Sequence, residues 1–256
     1  MQNEESRLDL LPIYLVLDTS VSMSLTYGGA FPEAFNFLKV LLVEMNKSAV
    51  VADKLRVEVI TFDEDVNVVF PLGDLDQLSR WIEEKENNPI EPDGERTCYC
   101  KAFAKVREEI ENGVQQIRAG EFNNGAQTEH HKTYRSVVYF ITDGAPNDCE
   151  DEREKEYYKL TNETFKLRPN IICVGVGNAR FDDLKEYGAG KYKMDKYTVG
   201  NTNYVLVAKD GVMPAKALSS IIPALVAYTV ASVNTGTDNT GFDDNQDEWR
   251  SFLAMN

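Results

Sequence analysis

Residues 11–17 (LPIYLVL) constrain this chain most: seven apolar side chains in unbroken succession, halted by Asp18. The run is too short for an ordinary helix and lacks the alternation of a half-exposed strand, so it predicts a strand buried on both faces. Residues 136–142 (SVVYFIT, then Asp143) and 170–177 (NIICVGVG) repeat the pattern. Such strands need a covering layer on each side, and the segments between them supply it. Phe31, Ala34, Phe35, Leu38, Leu41, Leu42, Met45 and Ala49 recur at helical spacing, predicting one helix over 31–51 with Pro32 and Glu33 in its first turn. Tyr99, Phe103, Val106, Ile110, Val114 and Ile117 form a second stripe. Shorter helices are expected at 74–86, 150–167 and 181–187, a further strand at 204–208, and a closing helix at 214–233. Residues 55–62 and 66–70, parted only by Asp63-Glu64-Asp65, are too close for a crossover and predict a hairpin. The expected fold class is α/β: a doubly wound, mostly parallel sheet with one antiparallel edge strand and helices on both faces. It covers residues 10–233, with an extension at 1–9, a polar insertion at 118–135 and an acidic tail at 234–256.

Composition narrows the partners. Among 256 residues, 42 are acidic and 27 basic, a formal net charge of −15. That excess argues against nucleic acid or an anionic membrane as partner, since both are held by Lys and Arg. It favours cations, basic protein surfaces and solubility. No stretch reaches the length of a membrane span, and the acidic start MQNEESRLDL has no signal-peptide pattern. Four cysteines without a secretion signal read as reduced thiols, so a cytoplasmic location is expected.

Open α/β sheets bind ligands beyond the carboxyl ends of their strands. Asp18-Thr19-Ser20-Val21-Ser22 occupies that place, and its alternate spacing can turn one carboxylate and two hydroxyls toward one point. Oxygen donors without His or Cys suit Mg²⁺, with Mn²⁺ or Ca²⁺ as alternatives, rather than Zn²⁺. Asp143 closes a strand expected beside the first, and Thr97 opens the helix leading into it. In isolation the motif has a plainer reading, an Asx or Ser turn after a strand.

Asp18-x-Ser20-x-Ser22, then Thr97 ahead of a helix, then Thr142-Asp143-Gly144 after a buried strand, resembles the von Willebrand factor A (vWA) domain, a Rossmann-like fold. The resemblance covers about residues 10–233, and the segments 59–72 and 172–188 are similar to the family's edge hairpin and to its fifth strand with the following helix. FITDGAPND (140–148) and the segment 224–232 look most like bacterial tellurite-resistance-type vWA proteins. The resemblance implies that Asp18, Ser20, Ser22, Thr97 and Asp143 form a metal-ion-dependent adhesion site (MIDAS). It implies a protein partner that offers an Asp or Glu to the cation, and a closing helix whose position is coupled to binding. It further implies a place in a stress-response or regulatory system beside kinase, phosphatase or ATPase components.

No catalysis is expected. An aspartate-nucleophile phosphohydrolase needs a second carboxylate two residues after the first, and Ser20 stands there; no nucleophile elbow or phosphate-cradling loop is present. The alternatives carried forward are a metal-dependent hydrolase or phosphotransfer enzyme, and a structural subunit of an ATPase-linked assembly. His130 and His131 are placed by the long helix about 30 Å from Asp18, as a solvated pair. Cys98, Cys100 and Cys149 are expected on the metal side as free thiols, with zinc binding as the alternative. Asp148, Glu150, Asp151 and Glu152 suit a helix start, where the dipole favours acids; the functional alternative is an acidic rim that selects a basic partner.

Overall fold

The computed structural model describes residues 10–24, 26, 30–47, 49–122, 133–192, 196–199 and 205–207. Strand β1 (Leu11–Asp18) is buried at all eight positions, as its unbroken apolar run requires. It lies at the centre of the sheet, parallel to β2 (Leu55–Phe62) on one side and β4 (Val137–Thr142) on the other. Strand β3 (Val66–Gly73) folds back antiparallel on β2 and forms the edge. Beyond β4 comes parallel β5 (Asn170–Gly175). The far side of β5 is shared by antiparallel β6 (Ala189–Tyr192), which carries β7 (Lys196–Val199), and by parallel β8 (Val205–Val207).

Alternate side chains of these strands feed two separate cores. Leu11, Ile13, Leu15 and Leu17 of β1 pack with α1 (Ala30–Met45) and α3 (Leu75–Asn87) on one face. Tyr14 and Val16 pack with α4 (Tyr99–Ala119) and α5 (Glu150–Thr161) on the other. A buried strand must serve both layers, and period-two alternation assigns each residue to one of them. The doubly wound sheet and its antiparallel edge match the expectation from sequence. The β6–β7 hairpin is an addition to it.

Several boundaries differ. The helix expected over 31–51 is two, α1 and α2 (Ala49–Lys54), with Asn46 and Lys47 in a turn where the apolar spacing lapses. The helix expected over 150–167 stops at Thr161, because the Asn162 side chain accepts the Thr164 N–H at 2.8 Å and closes an Asx turn. α6 is a single turn, Phe181–Leu184. Helix α3 begins where expected, on a capping box in which Asp74 accepts the Gln77 N–H at 2.7 Å and the Gln77 side chain accepts the Asp74 N–H at 3.0 Å. Helix α4 ends on Gly120, whose φ of 76° lies in the left-handed region that closes helices. The extension 1–9, most of the insertion including His130 and His131, the closing helix 214–233 and the tail 234–256 lie outside the described residues. No helix among the described residues is long and apolar enough to cross a membrane.

Candidate metal centre

All strand-end loops that carry the predicted ligands emerge from one edge of the sheet, because β1, β2, β4 and β5 run parallel. Asp18 is fully buried at the tip of β1. Its Oδ1 accepts the Ser20 N–H at 2.8 Å, and its Oδ2 accepts the Thr142 hydroxyl at 2.6 Å. Ser20 Oγ lies 3.0 Å from Ser22 Oγ, and Ser22 donates to Asp143 Oδ1 at 2.9 Å. One hydrogen-bonded chain thus joins Asp18, Ser20, Ser22 and Asp143 across two strands. Ser20 and Asp143 are buried, while Ser22 is exposed and opens the cluster to solvent.

Thr97 is buried on the adjoining loop. Asn147 holds it from the β4 side: its Oδ1 accepts the Thr97 N–H at 2.9 Å, and its own N–H donates to the Thr97 carbonyl at 3.1 Å. From the β1 side, Val21 N–H donates to the Gly94 carbonyl at 2.7 Å and Gly94 N–H to the Thr19 carbonyl at 3.2 Å. A side chain at Gly94 could not be housed, since its Cβ would fall 2.2 Å from that of Asp63. The helix begins at Tyr99 rather than at Thr97, which leaves Thr97 in the loop itself.

Four residues organise the ligand loops through contacts that the sequence does not announce. Asp63 Oδ2 accepts the Thr19 hydroxyl at 2.8 Å, and the Asp63 carbonyl accepts Cys98 N–H at 3.1 Å, tying the hairpin to both ligand loops. Fully buried Tyr99 donates to the Gly144 carbonyl at 2.7 Å and so orients the turn that follows Asp143. Asn147 and Thr19 complete the set. Thr19 and Asp63 read locally as polar residues at strand ends, Asn147 as a loop residue and Tyr99 as part of the α4 stripe, and each acts on a partner distant in sequence.

Burial pushes the Asp18 carboxyl up to about 6, against the downward pull of hydrogen bonds from Ser20 and Thr142, and nearby Asp143 adds to the rise. Burial also raises Asp143, opposed by the Ser22 hydrogen bond. Among the described residues no Lys or Arg side chain bonds either carboxylate. Two buried acids without a counter-charge, among hydroxyls, form a donor set that fits a hard divalent cation. Burial raises Cys98 and pushes Cys100 up to about 12, and Cys173 is sealed within β5. No three His, Cys, Asp or Glu side chains gather anywhere among the described residues, so the candidate centre draws on two carboxylates and on hydroxyls. Asp148 serves structure: it accepts the Cys100 N–H at 2.6 Å and pairs with Arg153 at 2.5 Å.

The profile of the VWA family, von Willebrand factor type A domain, matches residues 13–207. No curated protein matches the chain significantly by sequence. Among solved structures, proximal thread matrix protein 1 from the mussel byssus superposes with a TM-score of 0.58 at 20% identity, over 88% of this chain and 49% of that one. The same protein with a zinc-occupied MIDAS motif gives 0.56 at 18% identity, over 88% and 49%. A von Willebrand factor type A structure from Catenulispora acidiphila gives 0.57 at 13% identity, over 87% and 43%. The chain thus spans at most about half the length of these structures, and at such identities the likeness concerns the fold. Neither the profile nor these structures single out the tellurite-resistance-type subgroup.

Proposed function

Because the chain belongs to the von Willebrand factor type A domain family, we propose that it is a metal-ion-dependent protein–protein interaction module whose cation sits at Asp18, Ser20, Ser22, Thr97 and Asp143. The observation that carries this reading is the hydrogen-bonded chain from Asp18 through Ser20 and Ser22 to Asp143, with both acids buried and raised. Mg²⁺ is the favoured ion because all five donors are oxygen, with Mn²⁺ or Ca²⁺ as alternatives; the byssus protein holds zinc at its MIDAS motif. Two carboxylates offset the charge of a divalent ion, and the remaining donors are neutral hydroxyls. A cation so held supplies an electrophilic point at which a partner's Asp or Glu can be bound. The chain's own residues fix that point: Ser20 and Thr142 orient Asp18, Ser22 orients Asp143, and Tyr99 and Asn147 hold the flanking loops.

Docking through a carboxylate needs no acid–base group, so the module works without turnover. Its four free thiols, two of them buried, suit a reducing cytoplasmic setting. The partners proposed are components of a stress-response or regulatory system, of the kinase, phosphatase or ATPase kind. Isothermal titration with Mg²⁺ and with Mn²⁺ tests the site: heat of binding is expected for the wild type and not for Asp18→Ala. Equal binding by both proteins refutes the assignment. Hydrolysis of a generic phosphate ester, abolished by Asp18→Ala, would replace the docking reading with a metal-dependent hydrolase.

A further inference from the structure

We infer that the cleft between α5 and the segment 186–187 is a receptor for an arginine side chain of a basic partner segment. The cleft is open to solvent, has a volume of about 630 Å³ and is lined by Asp151, Glu154, Lys155, Tyr157, Tyr158, Glu186 and Tyr187. Asp151, Glu154, Lys155 and Tyr158 follow at i, i+3, i+4 and i+7, so one face of α5 forms a continuous wall. Glu186 and Tyr187 stand opposite.

The lining has two parts. Its buried part is aromatic: Tyr157 and Tyr187 lie with ring centroids 5.5 Å apart at 87°. Both rings are held rigidly. The Tyr157 hydroxyl donates to the Gly188 carbonyl at 3.3 Å, and the Tyr187 hydroxyl accepts Arg153 Nε at 2.7 Å. At the rim Tyr158 leaves 61% of its surface exposed, an unusual position for an aromatic side chain on a helix face otherwise made of Asp151, Glu154 and Lys155. The charged part of the lining holds three carboxylates against one ammonium. Arg153, which donates to Tyr187, is neutralised by Asp148 at 2.5 Å.

An exposed tyrosine set among carboxylates over an aromatic floor recognises an organic cation. The negative face of the exposed Tyr158 ring attracts it, and the carboxylates accept its hydrogen bonds, while Tyr157 and Tyr187, packed on Phe103, close the floor. Arginine suits the cleft better than lysine, because its planar guanidinium stacks on a tyrosine while offering forked donors to acids at the edge. This inference is independent of the cation site proposed at Asp18. It adds an anchor of opposite polarity, one that takes a basic group where the metal takes an acidic one.

The test uses a fluorescein-labelled hexapeptide carrying three arginines, followed by anisotropy with the full chain at low salt. Saturable binding is expected, weakened about tenfold in Tyr158→Ala and in Glu154→Gln, and unchanged in EDTA. The same peptide with citrulline in place of arginine, neutral but similar in shape, is expected not to bind. Glu83→Gln removes one charge from α3, on the opposite face of the sheet, and is expected to bind as the wild type does. Overturning results are binding of the citrulline peptide at equal strength, indifference to both cleft variants, loss of binding in EDTA, or an equal loss in Glu83→Gln. The last would reduce the effect to the overall charge. Tyr158 and Glu154 are exposed, so the variants are expected to fold, which circular dichroism checks.

Discussion

Glu58 stands opposite Tyr14 in the β1–β2 pairing, only 3% exposed, with its Oε1 bonded to nothing among the described residues. Burial pushes its carboxyl up to about 8, and Glu109 adds to the rise, while Lys105 and the Leu72 N–H oppose it. Its folded value is therefore above the unfolded one near 4.5. The stability it contributes is complete below about 4.5, declines as pH rises toward about 8, and is flat above. The predicted loss is on the order of a few kcal/mol across that window. Denaturant unfolding at pH 5, 7 and 9 is expected to show this decline in the wild type and a much flatter profile in Glu58→Gln. Parallel profiles would mean that Glu58 is ionised in the folded chain. Nothing in the sequence marks this residue, because EVIT reads as ordinary strand and the depth of burial depends on α4 crossing above it. Asp18, Ser20 and Ser22 were legible for the opposite reason: their spacing is local, and the strand that aims them is written in the preceding seven residues.

Legibility falls at the level of elements wherever one element acts on another. The strand-end loops follow from apolar runs and their stops, and α3 begins where its sequence predicts a helix. The division of α1 from α2 was hidden, because Val50 and Val51 continue an apolar pattern past Asn46 and Lys47. The short β6–β7 hairpin was hidden too, since its four-residue strands pair mainly with each other and need no long apolar run. Loop-to-loop ties were least visible. Asn147, which clamps the Thr97 backbone from fifty residues away, looks in sequence like one more polar residue after a proline. Removing it by Asn147→Ala leaves the Thr97 N–H without its acceptor and frees the loop. Stability is expected to fall by about 1–2 kcal/mol. Affinity for Mg²⁺ is expected to fall about tenfold, the scale typical of residues that orient a metal's ligands. Titration calorimetry and urea unfolding of the same sample separate the two effects. Unchanged Mg²⁺ affinity would show that Thr97 needs no clamp, or that it is no ligand.

Across the whole molecule, the sheet separates the packed cores from a polar edge. Two cores, one on each face, hold the strands, and the polar groups collect at the carboxyl edge, where burying Asp18 and Asp143 opposes folding. A cation that neutralises those acids should then stabilise the entire fold, because it binds the folded chain and finds no preformed site in the unfolded one. With free Mg²⁺ at a hundredfold excess over its dissociation constant, the gain is about 2.7 kcal/mol. For a domain of this size that corresponds to a rise in thermal midpoint of about 5–10 °C. Differential scanning fluorimetry is expected to show the rise with Mg²⁺ or Mn²⁺ and its reversal by EDTA. Ser20→Ala/Ser22→Ala is expected to unfold near the midpoint of the metal-free wild type and to gain nothing from either ion. Monovalent salt at matched ionic strength is the needed comparison, since a chain of net charge −15 is stabilised by any screening of its self-repulsion. A rise that sodium chloride reproduces, or that the double serine variant retains, would trace the effect to the general charge of the molecule rather than to a cation held at Asp18 and Asp143.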